Sequence, residues 1–268
     1  MSAGEGMRYV IRSSYGNDSI ALIEWARRQG LKDVFVAYSD TGWASEEWAA
    51  RVEACEAWAR SLGFTPVRIQ SVGFEQNVYN QTATGMWPTR LAKHCTKYLK
   101  ILPFIAWAKD ADPDRRAVVL VGVRRAESKE RAKHPAFMLE KDDGRHVLHP
   151  LLEYSDADRD ALVLETPIPL LDHRSDECEV CINVNRPDLR RASERAIDRI
   201  EVMEQRVGRP MFAPGRFMGA EGIREVKRWA DSEPGKFVPA SGTIPEYPPL
   251  DAIADVEPAT CDDDWCGR

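Results

Sequence analysis

Short apolar runs alternate with helical segments through the first half of the sequence, and this alternation constrains the fold more than any other feature. The predicted strands lie at 7–11, 33–38, 65–69 and 117–123, and the predicted helices at 18–29, 46–62 and 101–109. The run at 117–123 is apolar throughout, which is typical of a parallel strand buried on both faces. Strands that alternate with helices are joined by right-handed crossovers, which place helices on both sides of the sheet. The sequence therefore predicts an α/β fold with a doubly wound, mostly parallel sheet in three α/β/α layers.

The rest of the sequence is less regular and divides the chain into three predicted parts. Residues 74–94 carry Gly, Asn, Thr and Pro at positions that interrupt any period, so we predict a long loop there. Two further helices are predicted at 156–164 and 187–207, and from residue 232 onward Pro, Gly and Ser indicate an extended arm. The predicted parts are an α/β domain at 1–170, a helical, cysteine-bearing extension at 171–231, and a Pro-rich arm with terminal cysteines at 232–268.

Composition and charge restrict the classes of protein that fit. The 268 residues carry a net charge of −6, which argues against a general nucleic-acid binder. Arginines are nevertheless dense between 186 and 228, which indicates either a phosphate-facing surface or helix faces with ion pairs. No apolar run is long enough to span a bilayer and no signal-peptide core is recognisable, so we predict a cytoplasmic protein with no membrane partner. In that compartment the six cysteines point to metal binding or thiol chemistry instead of disulfides.

Polar clusters follow three of the predicted strands at the points where those strands end. They lie at 13–19, 39–42 and 122–128. The first cluster admits two interpretations: a loop that binds an anion at a helix N-terminus, or a turn capped by Asp18 or Ser19. Because the carboxyl ends of parallel strands meet at one edge of a sheet, where ligands bind, the convergence of three clusters favours the anion site.

Five stretches of the sequence, in order, resemble the motifs of one known family. Residues 14–19, Ser-Tyr-Gly-Asn-Asp-Ser, are similar to the S-G-G-x-D-S pyrophosphate loop of the adenine nucleotide alpha-hydrolase superfamily, with Tyr15 in place of the first Gly. The other stretches are Ser-Asp-Thr-Gly at 39–42, Cys-Thr through Leu-Lys to Pro at 95–103, Gly-Val-Arg-Arg-Ala-Glu-Ser with Arg131 at 122–131, and His-Pro-Leu-Leu followed by Ser-Asp at 149–156. Together they resemble the phosphoadenylylsulfate (PAPS) reductase family, to which ATP pyrophosphatases of sulfur transfer also belong. The resemblance covers roughly residues 7–207 and implies an adenine nucleotide alpha-hydrolase-like fold.

This resemblance implies roles for the matching residues. The loop would hold the phosphates of an adenine nucleotide, with Mg²⁺ near Asp18, and residues 40–42 would lie against the ribose or adenine. The implied nucleotide-binding residues are Ser13, Ser14, Gly16, Asn17, Asp18, Ser19, Asp40, Thr41, Gly42, Gly122 and Arg124. The implied catalytic residues are Asp18, Lys100, Arg124, Arg131 and Cys266, of which Lys100 and the two arginines would contact phosphate or sulfate oxygens. For Arg124 and Arg131 the alternative is an ordinary surface ion pair with Glu127 or Glu130.

The cysteines suggest a metal site. Cys178 and Cys181 form a C-x-x-C, which alone fits a redox pair, half a zinc site or half an iron–sulfur site. By resemblance to cluster-bearing sulfonucleotide reductases, this pair and Cys95 are implied ligands of a 4Fe–4S cluster, which we favour over zinc or no metal. Those reductases typically have Cys-Cys where this sequence has a single cysteine, so Cys261 or Cys266 is expected to supply the missing ligand.

Two other cysteine positions have different predicted roles. Cys266-Gly267 resembles the nucleophilic cysteine of sulfonucleotide reductases, but Asp262, Asp263 and Asp264 would raise the pKa of a nearby thiol. Ligation of a cluster is therefore the favoured role of the tail. Cys55, within a predicted helix, is expected to be a small buried apolar residue.

Three functions fit these patterns. The favoured one is an ATP pyrophosphatase that activates a substrate, such as a nucleic acid, for sulfur transfer; the single Cys95 in Cys-Thr-x-x-Leu-Lys resembles the Dnd-type DNA phosphorothioation enzymes. The second is a PAPS or adenylylsulfate reductase that uses Cys266 to form sulfite. The third is a non-catalytic nucleotide-binding subunit. The implied partners are an adenine nucleotide, a nucleic acid and a sulfur-donor protein such as a cysteine desulfurase or thioredoxin, with a homodimer left open.

Overall fold

The structure is a computed structural model that describes residues 9–213, 216–217 and 219–239. The two tail cysteines, Cys261 and Cys266, and the predicted arm beyond 239 lie outside the described residues. The chain forms two compact units. The described residues of the first are 9–78 and 88–193, and those of the second are 79–87 and the described residues from 194 onward.

A six-stranded sheet organises the first unit. Its strands are β1 (Tyr9–Ser13), β2 (Val34–Asp40), β3 (Thr65–Gln70), β4 (Val118–Val121), β5 (Phe137–Leu139) and β6 (His146–Leu148). The strand order is β3-β2-β1-β4-β6-β5, and every pair is parallel except β5 with β6. The mostly parallel sheet confirms the predicted α/β class, and it brings the ends of β1, β2 and β4 to one edge.

The helices follow the strands in alternation. Those of the first unit are α1 (Asn17–Arg28), α2 (Glu46–Ser61), α3 (Phe74–Tyr79), α4 (His94–Thr96), α5 (Leu102–Ala111), α6 (Asp156–Leu164) and α7 (Arg186–Arg191), and a π-helical turn at Lys97–Ile101 joins α4 to α5. Tyr79, the last residue of α3, is already part of the second unit. Within the described part of the chain, no helix is long and apolar enough to cross a membrane.

Two apolar clusters cover the two faces of the sheet. Successive residues of β1 point to opposite sides, so Ile11 packs into a cluster with α1, α2 and α6, while Val10 packs into a second cluster with α5. Leu120 and Val119 of β4 divide between the same two clusters. This arrangement is the three-layer sandwich that the alternation of strands and helices predicts.

Several boundaries differ from the sequence prediction. The helix predicted at 187–207 is two helices, α7 and α8 (Glu194–Val207), because the backbone of Ala192 is not helical (φ −54°, ψ 130°) and Ser193 donates its N–H to the Glu179 carboxylate. The long loop predicted at 74–94 contains the short helix α3. The two short strands β5 and β6 and the helix α9 (Ile223–Asp231) were not predicted.

The second unit has its own buried core. Residues Ile197, Ile200 and Met203 on α8 and Ile223 and Val226 on α9 are buried, as the amphipathic pattern of both helices requires.

A buried carboxylate, Glu204, forms hydrogen bonds with the backbone of the connection between α8 and α9 and with the start of α9. It accepts hydrogen bonds from the backbone N–H groups of Met211 (2.8 Å) and Ile223 (2.9 Å). Burial raises the pKa of Glu204 to about 7. The carboxyl group therefore satisfies two backbone donors on either side of this connection.

Candidate functional site

The pyrophosphate loop, residues 14–19, connects β1 to α1 at the carboxyl edge of the sheet. Its serines already hold it in shape: the Ser14 N–H donates to Ser19 Oγ (3.0 Å), and the Tyr15 N–H donates to Ser13 Oγ (3.0 Å). The Ser14 and Ser19 hydroxyls lie 3.3 Å apart. The loop is therefore built by its own side chains, at a helix N-terminus that favours anions.

Tyr15 occupies the loop position where the family motif has its first Gly. Its φ of +58° lies in the left-handed region that glycine adopts without cost. The side chain is fully buried and stacks on Tyr38, with 5.5 Å between ring centroids. Burial also raises the pKa of the phenol, so the hydroxyl is neutral. The ring points into the core beneath the loop, so the backbone keeps the turn that the motif requires although a large residue replaces Gly.

Asp18 lies at the centre of an ion-pair network. The Arg124 Nε donates to Asp18 Oδ1, and the Arg124 Nη2 donates to Asp156 Oδ1 at 2.8 Å. Arg124 is only 2% exposed, and Arg159 Nη1 lies 3.8 Å from Asp18 Oδ1. Burial alone would lower the pKa of Arg124, but the hydrogen bonds and charges of Asp18 and Asp156 raise it, so the guanidinium is charged. Two arginines therefore stand beside the one carboxylate of the loop.

Gly122 allows β4 to approach the start of α1. A Cβ on Gly122 would lie 3.0 Å from the Asp18 carbonyl oxygen, which is tighter than most contacts that Cβ atoms make in proteins. The close approach places the segment that carries Arg124 against the pyrophosphate loop. This is a physical reason for glycine at the position that the motif marks.

A segment formed by residues 169–176, here called the covering segment, is bonded to the loop and to α2. Asn17 Nδ2 donates to the Leu171 carbonyl (2.8 Å), and the Leu171 N–H donates back to Asn17 Oδ1 (3.0 Å). Arg51 on α2 donates to the Tyr15 carbonyl (2.8 Å) and to the Pro169 carbonyl (3.0 Å). Three polar groups of the loop, the Asn17 amide nitrogen, the Asn17 amide oxygen and the Tyr15 carbonyl, are thus bonded to α2 or to the covering segment.

The residues after β2 turn toward the cysteines. Asp40 Oδ1 accepts the Gly42 N–H at 2.9 Å, and Gly42 has a φ of +62°. The buried Thr41 donates its hydroxyl to the Glu177 carbonyl (3.2 Å), and its Oγ1 lies 3.7 Å from Cys178 Sγ. The 40–42 turn therefore joins the strand edge to the C-x-x-C.

Cys95, Cys178 and Cys181 line one cavity of about 70 Å³. Lys100 lines the same cavity, and its ammonium group pairs with Glu177 at 2.9 Å. Burial alone would lower the pKa of Lys100, but the Glu177 carboxylate raises it by more. The pKa of Lys100 therefore lies above its ordinary value, and the ammonium group is charged. The structure thus brings together three cysteines that are more than 80 residues apart at their extremes, as the family resemblance implies.

These cysteines do not by themselves complete a metal site. In the described ranges, no group of three or more His, Cys, Asp or Glu side chains is arranged to hold a metal ion. Burial raises the pKa of Cys178 to about 12, so without a metal its thiol is protonated at neutral pH. The sequence prediction of a cluster depended on Cys261 or Cys266, and both lie outside the described residues. Cys55 is fully buried, as predicted, and burial raises its pKa to about 12.

The three cationic side chains predicted to contact phosphate, Lys100, Arg124 and Arg131, lie in different places. Arg124 stands at the loop, whereas Lys100 stands at the cysteine cavity and Arg131 pairs with Glu127, as the alternative interpretation stated. In the arginine-dense stretch, Arg191 pairs with Asp176 and Asp188, and Arg224 with Glu194, Asp198 and Glu201. These contacts favour helix faces with ion pairs over a phosphate-facing surface.

Sequence reasoning missed the roles of four residues: Arg51, Arg159 and Asp156 (as an ion-pair partner) at the loop, and Glu177 at the cysteine cavity. Each reaches its partner across at least 32 positions of the sequence, so no local spacing marks it. The only available signal was the Ser-Asp start of the helix after His-Pro-Leu-Leu, which does place Asp156 beside Arg124.

The mostly parallel sheet with helices on both faces is consistent with the α/β fold of the adenine nucleotide alpha-hydrolase superfamily. The family model of the phosphoadenosine phosphosulfate reductase domain matches residues 8–173, and the chain belongs to this family. Among solved structures, the chain is similar to the crystal structure of phosphoadenylyl-sulfate (PAPS) reductase from Candida auris in its phosphate complex. The two are 17% identical, with a TM-score of 0.44, over 61% of this chain and 74% of that chain. No curated protein matches the chain.

Membership of the family gives the function in coarse terms. It implies binding of an adenine nucleotide and an enzymatic role related to sulfonucleotides. The pyrophosphate loop, Gly122 and Arg124 lie inside the matched residues. Which reaction follows is a separate question, because an ATP pyrophosphatase and a reductase share this nucleotide-binding framework.

Proposed function

We propose that the chain is an ATP pyrophosphatase of sulfur transfer, which binds ATP and releases pyrophosphate as it adenylylates an oxygen of its substrate. The observation that carries this proposal is the Asp18 carboxylate in the loop, held by Arg124 and Arg159. The Asp-Ser end of the loop suits a triphosphate, and it is the part of the motif that the resembling reductases have largely lost. The substrate class that we propose is a nucleic acid, with a cysteine desulfurase as the sulfur-donor protein.

The chain's own residues supply most of what this reaction needs. The Ser14 and Ser19 hydroxyls and the N–H groups at the start of α1 donate to phosphate oxygens. The charged guanidinium of Arg124 stabilises negative charge that develops on the leaving pyrophosphate, and its planar fork suits two oxygens at once. Asp18 and Asp156 hold this guanidinium, so the protein itself fixes its orientation.

Mg²⁺ fits the donor set at the loop. Asp18 has 29% of its side chain exposed, and Mg²⁺ is typically bound through one or two carboxylates together with substrate phosphates. Bound there, the ion would neutralise phosphate charge.

A reductase is the second candidate function. The family match is to the reductase domain itself, which favours a sulfonucleotide as substrate. In that reaction a thiolate, proposed as Cys266, attacks the sulfate sulfur, the adenine nucleotide leaves, and the enzyme-bound thiosulfonate is reduced by thioredoxin to release sulfite. The buried Cys178, with its pKa raised to about 12, is a poor candidate for this nucleophile.

Product analysis distinguishes the two reactions. The full chain is incubated with ATP, Mg²⁺ and a nucleic acid, and in parallel with PAPS or adenylylsulfate and reduced thioredoxin. We expect pyrophosphate in the first reaction and no sulfite in the second. Asp18→Asn should remove most of the pyrophosphate release, because the loop loses its carboxylate, while Cys55→Ala, a change in the buried core, should retain it.

Sulfite from either sulfonucleotide, lost in Cys266→Ser but not in Cys55→Ala, would replace this proposal with the reductase. Nucleotide binding without either product would support the non-catalytic subunit. Equal nucleotide affinity in the Asp18→Asn and unchanged chains would show that the loop is only a turn.

A further inference from the structure

A short stretch of the first unit carries cations and no carboxylates. Residues 90–98, here called the basic segment, contain Arg90, Lys93 and Lys97, and the sequence around them holds no Asp or Glu from 76 to 109. The whole chain has 43 acidic residues against 37 Lys and Arg, so this acid-free stretch departs from its composition. A local surplus of positive charge in an acidic chain indicates a surface for an anionic partner.

The three cations of the basic segment are available to such a partner. All three side chains are exposed, and within the described part of the chain none of them forms an ion pair. The Lys97 ammonium group lies 5.5 Å from the centroid of the Tyr98 ring. In the arginine-dense stretch, by contrast, Arg191 is held by two carboxylates and Arg224 by three. A phosphate therefore reaches the basic segment without displacing a carboxylate.

A closed turn presents the first part of the basic segment. The Ala92 N–H donates to Thr89 Oγ1 (2.9 Å), and the Thr89 N–H donates to the Ala92 carbonyl (3.1 Å). Arg90 and Leu91 form the tip of this turn, and the Leu91 side chain is fully exposed. Because both sides of the tip are bonded to each other, Arg90 is presented by a structured part of the chain.

Tyr98 places an aromatic ring beside these cations. It lies in the π-helical turn, where its neighbour Leu99 is buried while 36% of Tyr98 is exposed. An exposed aromatic ring next to cations suits a single-stranded nucleic acid, because an unpaired base stacks on the ring while the cations contact phosphates. The bases of a duplex are already stacked on one another, so the ring favours a single strand over a duplex.

The basic segment leads to the cysteine cavity. Lys93 and Cys95 line this cavity together with Lys100, and none of its described lining residues is an Asp or Glu. Thr41 lines it as well and follows β2 at the carboxyl edge of the sheet, where the pyrophosphate loop also lies. A polyanion on the basic segment therefore lies beside the edge at which the proposed adenylylation takes place.

We propose that the basic segment binds a single-stranded nucleic acid, with phosphates on Arg90, Lys93 and Lys97 and a base stacked on Tyr98. This inference rests on the proposed function, which calls for a nucleic acid as substrate. It adds the surface that binds this substrate and the preference for a single strand.

Fluorescence anisotropy with the full chain tests the inference without turnover. The probe is a labelled oligothymidylate of about 20 nucleotides, longer than ordinary single-strand sites, and the comparison is the same strand annealed to its complement. Both are titrated without ATP at several salt concentrations. We expect the single strand to bind more tightly than the duplex. Three phosphate contacts predict a slope of about −2 for the logarithm of the binding constant against the logarithm of the salt concentration.

Charge-removing variants identify the cations. Each of Arg90→Gln, Lys93→Gln and Lys97→Gln should reduce the size of this slope by about 0.7, and the triple variant should bind about tenfold or more weakly at low salt. Lys32→Gln is the matched control and should change neither quantity. Lys32 is exposed, forms no ion pair with a described residue, and precedes β2 at the opposite edge of the sheet.

Tyr98→Leu separates stacking from charge. Leucine cannot stack on a base, so this variant should bind the single strand about fivefold or more weakly and leave binding of the duplex unchanged. The salt slope should stay the same, because no charge is removed. Circular dichroism establishes that each variant is folded.

Several outcomes would overturn the inference. They are binding of neither oligonucleotide, a duplex that binds as tightly as the single strand, and a folded triple variant or Tyr98→Leu chain that binds the single strand as tightly as the unchanged chain. Poly-L-aspartate that competes as well as the oligothymidylate at equal charge would assign the surface to an acidic protein instead. Pyrophosphate release from ATP without binding of oligonucleotide rejects this inference alone, whereas binding without pyrophosphate release rejects the proposed reaction alone.

Discussion

At the scale of single residues, Tyr15 combines a position suited to glycine with a fully buried aromatic ring. Within the described residues its hydroxyl has no hydrogen-bond partner, although the atom is buried. A buried hydroxyl without a partner costs about 1–3 kcal/mol. Tyr15→Phe keeps the stacking on Tyr38 and removes that cost, so we expect the free energy of unfolding to rise by about 1 kcal/mol in denaturant titrations.

The partly exposed Tyr9 of β1 provides the control for this prediction. Tyr9→Phe should leave the free energy of unfolding nearly unchanged, because no comparable burial penalty is relieved there. A Tyr15→Phe chain that is less stable than the unchanged chain would mean that the Tyr15 hydroxyl is bonded in solution.

The single residues also show how far sequence reasoning reaches. The motif marked Asp18, Gly122 and Arg124, and the structure does bring them into contact. It could not mark Arg51 or Arg159, because their partners are set by how α2 and α6 pack and not by local spacing. Lys100 was marked for phosphate, yet it pairs with Glu177, a residue 77 positions away that no pattern connects to it.

At the scale of helices and strands, the buried Glu204 makes the α8–α9 pair sensitive to pH. Its folded pKa of about 7 lies above the ordinary value of 4.5, so the folded state holds a proton that the unfolded state releases. Stability from this group is complete below about pH 4.5 and is lost as pH rises through about 7. We expect amide hydrogens in α8 and α9 to exchange more slowly at about pH 5 than at about pH 8, after correction for intrinsic exchange rates. The free energy of opening derived from these rates should be larger at the lower pH by up to roughly 3 kcal/mol.

Glu204→Gln tests the origin of this pH dependence. Glutamine keeps one acceptor oxygen but does not titrate, so the difference in protection between the two pH values should disappear. A partly exposed carboxylate of the same helix, Glu201, supplies the comparison: Glu201→Gln should retain the difference in protection between the two pH values. The same pH dependence in Glu204→Gln would assign the effect to other groups.

The secondary structure divides into what periodicity could and could not predict. The strands β1 to β4 were predicted to within a few residues, because each is an apolar run next to a helix in the sequence. The strands β5 and β6 have three residues each, too few for a period to be recognised. The break between α7 and α8 was invisible because the amphipathic pattern continues across it, while the Ser193 N–H is diverted to Glu179.

At the scale of the whole chain, the positions of the cysteines lead to a prediction about metal content. We propose that Cys95, Cys178, Cys181 and a tail cysteine bind a 4Fe–4S cluster, with zinc as the less favoured metal. Full-length protein prepared without oxygen should then absorb near about 400 nm and contain about four iron atoms. Replacing Cys95, Cys178 or Cys181 with serine should abolish iron binding, whereas the Cys55→Ser protein should retain its iron.

The tail variants complete this experiment. Either Cys261→Ser or Cys266→Ser should also remove the iron, which would identify the fourth ligand. A colourless anaerobic protein with stoichiometric zinc, or with no metal, would contradict the cluster. Iron that is retained in both single tail variants and in the double variant would show that the tail supplies no ligand.

The pair of hydrogen bonds between Asn17 and Leu171 has a consequence for the speed of nucleotide entry. The Asn17 amide offers a donor and an acceptor in the same arrangement as a peptide group. It therefore forms two reciprocal hydrogen bonds with the Leu171 backbone, like those between neighbouring β-strands, and these bonds hold the covering segment against the loop. A phosphate that is to accept the hydrogen now donated to the Leu171 carbonyl must wait until that bond has opened. Association would then proceed in two steps, with an opening step whose rate sets a ceiling that added nucleotide cannot raise.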